Sequence, residues 1–364
     1  MSCRSPLLAL VFASLVAAPA DAAGPVMFGG AVLNGSNGIT GMGRPSDVVT
    51  SPDGRFVYTV ATANQSILWF ARNATTGALT LVDRVVSRTA TPPGTIPHLD
   101  RPFAIATSPD GEHLYVAAGI ASAGASAITW FDRDLGTGAI TYRGSLTNDS
   151  GPGLYALDTP VDVLVSADGA NVYVTAFEAR AITGFARDAQ TGDLSFLQVV
   201  VDDANGVDGL EGIQRLAESS NGTSMNVSSA SRPTTVPGVG GVATFARAPN
   251  GTLSFVAAIH ESLFGRGEPH GIAMSPDGAS VYAISDGRYS GVGGLTPGKL
   301  AVFTRDAQSG ALTLVDRFDS GSAGVIGLAG AIDLNVTPDG IGAELALLAP
   351  LYARLRRKRM ARPR

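Results

Sequence analysis

The residues of this chain best suited to chemistry lie just upstream of a recurring Ser-Pro-Asp-Gly phrase. Five to eight residues before successive copies stand Arg44, Arg101, Thr159, Glu211 with Gln214, and Glu268 with His270. A histidine can take a proton from an attacking water at physiological pH. Arginines hold a carboxylate, or polarise a carbonyl, through the fork of the guanidinium. A glutamate two residues from the histidine can orient the imidazole or serve as the acid–base group itself. His270, Glu268, Arg101 and Arg44 are therefore the expected catalytic set. Gln214, Glu211, Arg288 and Tyr289 are the expected substrate contacts. Two plainer readings stand beside this one. His270 can be a rim histidine bonded to a neighbouring loop, and the recurrence of Arg44-Pro45 as Arg101-Pro102 favours a structural role for both arginines.

Other chemistries find little support in the sequence. His98, His113 and His260 share neither the phase of His270 nor a metal-ligand spacing. Asp202–Asp208 is rich in oxygen donors but lacks the glutamate that closes an EF-hand calcium loop. No nucleophile elbow and no phosphate-cradling loop is present. No cofactor and no metal is expected.

The elements that must position these residues follow from the repeat itself. Ser-Pro-Asp-Gly occurs at Ser51–Gly54, Ser108–Gly111 and Ser275–Gly278, with variants at Ser166–Gly169, Ser219–Gly222 and Thr337–Gly340. The starts lie 57, 58, 53, 56 and 62 residues apart, which marks an array of like units. A second phrase, Phe-x-Arg before a polar loop and glycine, recurs at Phe70-Ala-Arg72, Phe131-Asp-Arg133, Phe185-Ala-Arg187, Phe245-Ala-Arg247 and Phe303-Thr-Arg305. In the first unit Asp47–Thr50, Phe56–Val60, Ile67–Phe70 and Leu79–Val82 read as strands. The turn at Ser51–Gly54 and the hairpin loop Asn73–Gly77 separate them. Four short antiparallel strands per unit make a β-propeller blade, so the fold class is all-β, with six repeats visible and six or seven blades. The first strand of each blade lines the channel, which gathers the residues named above at one mouth. The long connections Ser229–Gly240 and Ser285–Gly298 enlarge the same rim, as a lid or as plain surface loop. Asp47, Asp162 and Asp333 share one phase and are expected to hydrogen-bond the adjacent blade. The apolar segment Val26–Leu33 is expected to close the ring against the C-terminal strands.

The two ends have a different character. Arg4, the apolar run Leu7–Ala18 and Ala20-Asp-Ala22 read as an export signal over residues 1–22. The propeller domain then spans 23–340. Residues 341–364 combine a short apolar segment with seven basic residues against Glu344. That segment reads either as a sorting or anchoring tail, with possible membrane association, or as strand Leu345–Leu348 of the last blade plus a basic end. Residues 1–22 are neutral, so the formal −5 of the chain leaves about −11 on residues 23–340, which excludes a nucleic-acid binder. The one cysteine, Cys3, lies within the signal, so no disulfide is expected in the mature chain. Location is expected to be periplasmic, cell-surface or secreted.

The repeats Ser-Pro-Asp-Gly-x-x-Val-Tyr-Val and Phe-x-Arg-Asp-x-x-Thr-Gly-x-Leu-Thr resemble those of the lactonase-type β-propellers, the group of 6-phosphogluconolactonase and carboxymuconate cyclase. The resemblance covers most of residues 44–340. The run Glu268-Pro-His-Gly-Ile-Ala-Met-Ser-Pro-Asp-Gly278 is similar to that family's Pro-His phrase, which implies His270 as general base for opening a lactone. Lys299 is the single lysine of the body, and export removes the chain from cytosolic sugar phosphates, so the implied substrate is an unphosphorylated lactone. The other function consistent with these residues is a non-enzymatic propeller that binds an envelope protein or glycan.

Overall fold

The computed structural model describes residues 9–11, 31–88, 94–119, 126–148, 151, 156–230, 241–260, 269–285, 289–290, 294–295 and 298–320. All regular structure among them is β. Two short strands come first, β1 (Ala9–Val11) and β2 (Ala31–Leu33), paired antiparallel with each other. The part of Val26–Leu33 that is described thus lies against the N-terminal segment, not against C-terminal strands as expected.

Five four-stranded antiparallel sheets follow, each in simple up-and-down order. Blade 1 holds β3 (Pro45–Thr50), β4 (Phe56–Ala61), β5 (Ser66–Arg72) and β6 (Leu79–Val86). Blade 2 holds β7 (Pro102–Thr107), β8 (His113–Ala118), β9 (Ala127–Arg133) and β10 (Ile140–Thr147). Blade 3 holds β11 (Pro160–Val165), β12 (Asn171–Ala176), β13 (Ala181–Arg187) and β14 (Leu194–Val201). Blade 4 holds β15 (Ile213–Glu218), β16 (Ser224–Ser229), β17 (Gly241–Arg247) and β18 (Leu253–His260). In blade 5, β19 (Pro269–Met274) and β20 (Ser280–Ser285) are followed by a small hairpin of β21 (Tyr289–Ser290) and β22 (Gly294–Leu295). β23 (Lys299–Arg305) and β24 (Leu312–Asp319) then complete the sheet. The hairpin falls where only loop was expected. The sixth phrase, Asp333 and the whole of 341–364 lie outside the described residues. Among those described, no helix is long and apolar enough to cross a membrane.

Local chemistry builds each blade. Ser51 Oγ accepts from Phe56 N across its turn, Gly54 N donates to Ser51 O, and Gly54 takes a positive φ of 67°. Asn73 Oδ1 accepts from Thr75 N and Thr76 N in the hairpin loop, and Gly77 closes that loop at φ 69°. The second strands β4, β8, β12 and β16 are buried along their length, because each is flanked on both edges within its sheet and covered on its faces, β8, β12 and β16 by the blades on either side and β4 by blade 2 and by Ile39 and Met42. The core is therefore a series of inter-blade clusters. One of these joins Tyr58, Val60 and Trp69 of blade 1 to Ile105, Val116 and Phe131 of blade 2.

The two repeated phrases meet across these joints. Arg133 of blade 2 donates through Nε to the Tyr58 hydroxyl of blade 1 at 2.7 Å, and through Nη2 to Asp53 Oδ2 at 3.2 Å. Its Nη1 donates to Gly111 O at 2.9 Å, inside its own blade. Tyr58 in turn donates to Gly138 O at 2.8 Å. Arg187 repeats the set with Tyr115, Asp110 and Gly169 O, and Arg247 repeats it with Tyr173, Asp168 and Gly222 O. The recurring arginine, aspartate and tyrosine are thus a clamp between consecutive blades.

Candidate functional site

Arg44 and Arg101 stand seven residues before their turns, just ahead of β3 and β7. Both adopt left-handed backbone, at φ 54° and 51°, as do Thr159 at 57° and Gly212 at 69° in the same position of blades 3 and 4. Non-glycine residues adopt this conformation at a cost, so it persists only where the surroundings require it. The requirement is visible in the backbone. The carbonyls of Arg44, Arg101, Thr159 and Gly212 accept from Thr62, Gly119, Phe177 and Ala230 N, which ties the entry of each first strand to the exit of the second. The two arginine side chains are exposed, with no ion pair among the described residues. This recurrence has a structural cause in the left-handed strand entry, and both guanidinia face solvent.

Two residues later, every first strand bulges. Pairing with the second strand slips around Ser46, Phe103, Val161, Gln214 with Arg215, and His270. A bulge re-aims the side chain it carries. His270 and Gln214 therefore hold the same bulged position on neighbouring channel strands, β19 and β15, and both are half-buried. The His270 carbonyl accepts from Ser228 Oγ at 3.4 Å, and Gln214 Nε2 donates to Gly212 O at 3.3 Å. Glu211 is half-buried in the turn before β15. Glu268 and Arg288 lie outside the described residues, and of Tyr289 only the backbone, in β21, is described.

One residue further along, the channel holds charge. Asp47 and Asp162 accept through Oδ2 from Ile105 N and Leu216 N of the next blade, at 2.9 and 2.8 Å, which is the bonding expected of that phase. Arg215 occupies the same phase of blade 4. Its Nη1 lies 2.9 Å from Asp162 Oδ1 and 3.6 Å from Asp47 Oδ2, so it spans from blade 4 to blades 3 and 1. These three line a cavity of about 300 Å³ with Val49, Ile105, Leu216 and Ile272. The Arg215 guanidinium, held between two carboxylates at this cavity, can present hydrogen bonds to one polar ligand. Sequence reasoning missed Arg215. The available signal was its place in the phase occupied by Asp47 and Asp162.

The remaining candidates have structural partners. His113 is buried with Nδ1 2.8 Å from Arg187 Nη2, and its pKa is lowered by burial and then by that guanidinium. Asp110, Glu112 and His113 do bring potential ligand atoms within 4.8 Å of one another, which their spacing did not suggest. Arg187 already bonds both Asp110 and His113, so this donor set does not fit a cation. His260 Nε2 pairs with Asp208 Oδ2 at 2.9 Å. Asp202 accepts from Leu210 N, and burial raises its pKa, which suits a loop-bracing carboxyl.

Comparison with known proteins agrees with this architecture. The family described as "Lactonase, 7-bladed beta-propeller" matches residues 31–147. No curated protein matches the chain significantly. A solved protein from Lactobacillus plantarum is similar at 20% identity and TM-score 0.56, covering 79% of this chain and 73% of its own. A functionally unknown protein from Desulfotomaculum acetoxidans is similar at 14% identity and TM-score 0.55, covering 78% and 72%. A periplasmic gluconolactonase of Pseudomonas aeruginosa is similar at 20% identity and TM-score 0.45, covering 76% of this chain and 86% of its own. The likeness to solved structures concerns the fold alone. The resemblance to the lactonase-type β-propellers, read from the repeated phrases, is thus borne out: residues 31–147 match that family, and the same blade pattern continues to residue 320.

Proposed function

We propose that this chain hydrolyses a small unphosphorylated lactone in its central channel. The observation that carries this reading is the bulge that aims His270 and Gln214 from neighbouring channel strands, one residue ahead of the phase that holds Arg215, Asp162 and Asp47. In this reading His270 takes the proton of a water whose oxygen attacks the lactone carbonyl. Arg215 would stabilise the negative charge that develops on the carbonyl oxygen. The ring C–O bond then breaks, the departing alkoxide takes the proton back from the imidazolium, and a hydroxy acid leaves. A cavity of about 300 Å³ sits at the small end of ligand sites, which favours a monocyclic substrate.

The exposed guanidinia of Arg44 and Arg101 favour a second reading, in which the rim docks an anionic envelope protein or glycan without turnover. Residues 1–22 support export in either case, and the basic tail supports contact with an anionic membrane surface.

The deciding experiment is hydrolysis of a panel of sugar and aliphatic lactones by the full-length protein, beside His270→Ala. A rate lost about 100-fold or more in a folded variant is the expected result, in keeping with loss of a general base. No rate above buffer on any lactone sinks the enzyme reading and leaves the rim-binding one. Amino-terminal sequencing of the exported protein tests the signal, with a start near residue 23 expected.

A further inference from the structure

Two buried hydroxyls fasten the bulges that carry the polar channel residues. Thr175 and Ser228 are the fifth residues of β12 and β16, and both are fully buried. Thr175 Oγ1 donates to Gln214 O at 2.9 Å, and Ser228 Oγ donates to His270 O at 3.4 Å. Each bond runs from the second strand of one blade to the bulge on the first strand of the next. Ser228 Oγ also accepts from Arg215 N at 3.2 Å. One hydroxyl therefore lies between the backbone of Arg215 and that of His270.

The bulges need such partners. Pairing of β19 with β20 passes from Pro269 to Gly271 and skips His270. Pairing of β15 with β16 passes from Ile213 to Leu216 and skips Gln214 and Arg215. A residue that leaves the ladder must have its backbone polar groups satisfied elsewhere.

The same position in the earlier blades is apolar. The fifth residues of β4 and β8 are Val60 and Ala117, both fully buried. Val60 packs in one cluster with Ile105 of blade 2, and Ala117 in another with Val163 of blade 3. The bulges of those next blades carry Phe103 and Val161. Among the four joints of the described blades, a hydroxyl thus stands at the two whose bulge presents a polar side chain. The two whose bulge presents an apolar one have none. A need of the fold alone would act at all four joints, and a buried hydroxyl is costly unless it is bonded.

We propose that Ser228 and Thr175 are positioning residues of the channel site, Ser228 for His270 and Thr175 for Gln214. The inference rests on the reading of His270 as general base and Gln214 as substrate contact. A peptide unit is planar, so holding the carbonyl of a bulged residue holds the plane that follows it and limits the swing of its Cα–Cβ bond. Neither hydroxyl touches substrate. Both act through the backbone of the residue they hold.

The test compares the full-length wild type with Ser228→Ala, Ser228→Thr, Thr175→Val and Ala117→Ser. Lactone kinetics are read beside the NMR signal of the His270 ring, which is assigned by its loss in His270→Ala. Ser228→Ala should lower kcat about tenfold, with KM within about twofold, because a small misplacement of a reacting group is costly. It should also move the His270 signal. Ser228→Thr keeps the hydroxyl and should restore both. Thr175→Val should raise KM about threefold or more, with kcat within about twofold, and leave the His270 signal in place. Ala117→Ser adds a hydroxyl beside an apolar bulge and should change neither. If lactones are hydrolysed, an unchanged kcat in folded Ser228→Ala overturns the proposal. So does an equal loss of kcat in Ser228→Ala, Thr175→Val and Ala117→Ser, which marks general loosening. If no lactone is hydrolysed, the hydrolase reading falls and the signal decides: a shift in Ser228→Ala alone upholds the hold on His270, and no shift overturns it. Should Ser228→Ala not fold, the KM of Thr175→Val decides.

Discussion

The first three blade joints and the fourth are built on one plan and differ in two side chains. Where aspartate and tyrosine are both present, a buried guanidinium is neutralised and fully bonded. Where they become Asn221 and Asn226, the guanidinium of Arg305 stays in the interface with no carboxylate bonded to it among the described residues. The difference shows what the repeated residues are for. Ser-Pro-Asp-Gly, the tyrosine that follows it and Phe-x-Arg do not serve a common ligand site. They join one blade to the next, and the joint survives loss of its anion because apolar packing, such as Phe303, Ile272 and Val242 between blades 4 and 5, remains.

The comparison breaks most readily by removing the arginine. Arg247→Met strands Asp168 and the buried Glu218, and should cost about 3–5 kcal/mol in urea unfolding. Arg305→Met at the fourth joint removes a charge that no carboxylate among the described residues meets, and should be neutral or stabilising by about 1 kcal/mol. Equal losses in the two would mean that the clamp aspartates contribute nothing. Next in size is Tyr115→Phe, which deletes the hydroxyl that donates to Gly192 O and accepts from Arg187 Nε. The expected loss is about 1–3 kcal/mol, because both partners are left buried. The burial that pushes the Tyr115 pKa to about 12 leaves this hydroxyl protonated throughout the neutral range.

The smallest effect is read in acid. Burial acts to raise the Asp168 pKa, but bonds from Ser166, Ala170 and Arg247 prevail and hold it at about 2. A lowered folded-state value stabilises above the unfolded value of about 3.8 and is lost as pH falls through about 2. The stability difference between the wild type and Asp168→Asn should therefore be level above pH 5 and shrink between about pH 4 and pH 2. A difference independent of pH would show that Asp168 acts through its shape and not its charge. Glu218 differs in kind. Its Oε1 is 3.7 Å from Arg247 Nη1, beyond hydrogen-bond reach, so burial dominates and raises its pKa.

Local features of this fold were legible in the sequence because their causes are local. The turn at Ser51–Gly54, the loop at Asn73–Gly77 and the alternation of Phe56–Val60 each depend on neighbours a few residues away, and the period of near 57 residues multiplied one unit into an array. The inward phase of Asp47 and Asp162 was legible for the same reason. Arg44 and Arg101 show the limit of such reading. Their spacing suggested a binding fork, yet spacing is also what a left-handed strand entry produces, and only the φ angles separate the two.

What the sequence by itself determined is the blade, with its turns, its strands and the phase at which each side chain faces the channel. What only the tertiary structure decided is which of those side chains meet. Arg187 finds Tyr115 at a separation of 72 residues, and Arg215 reaches Asp162 across 53 and Asp47 from three blades away. Those contacts are set by how twisted sheets pack around an axis, a property of the assembled ring that no single repeat encodes.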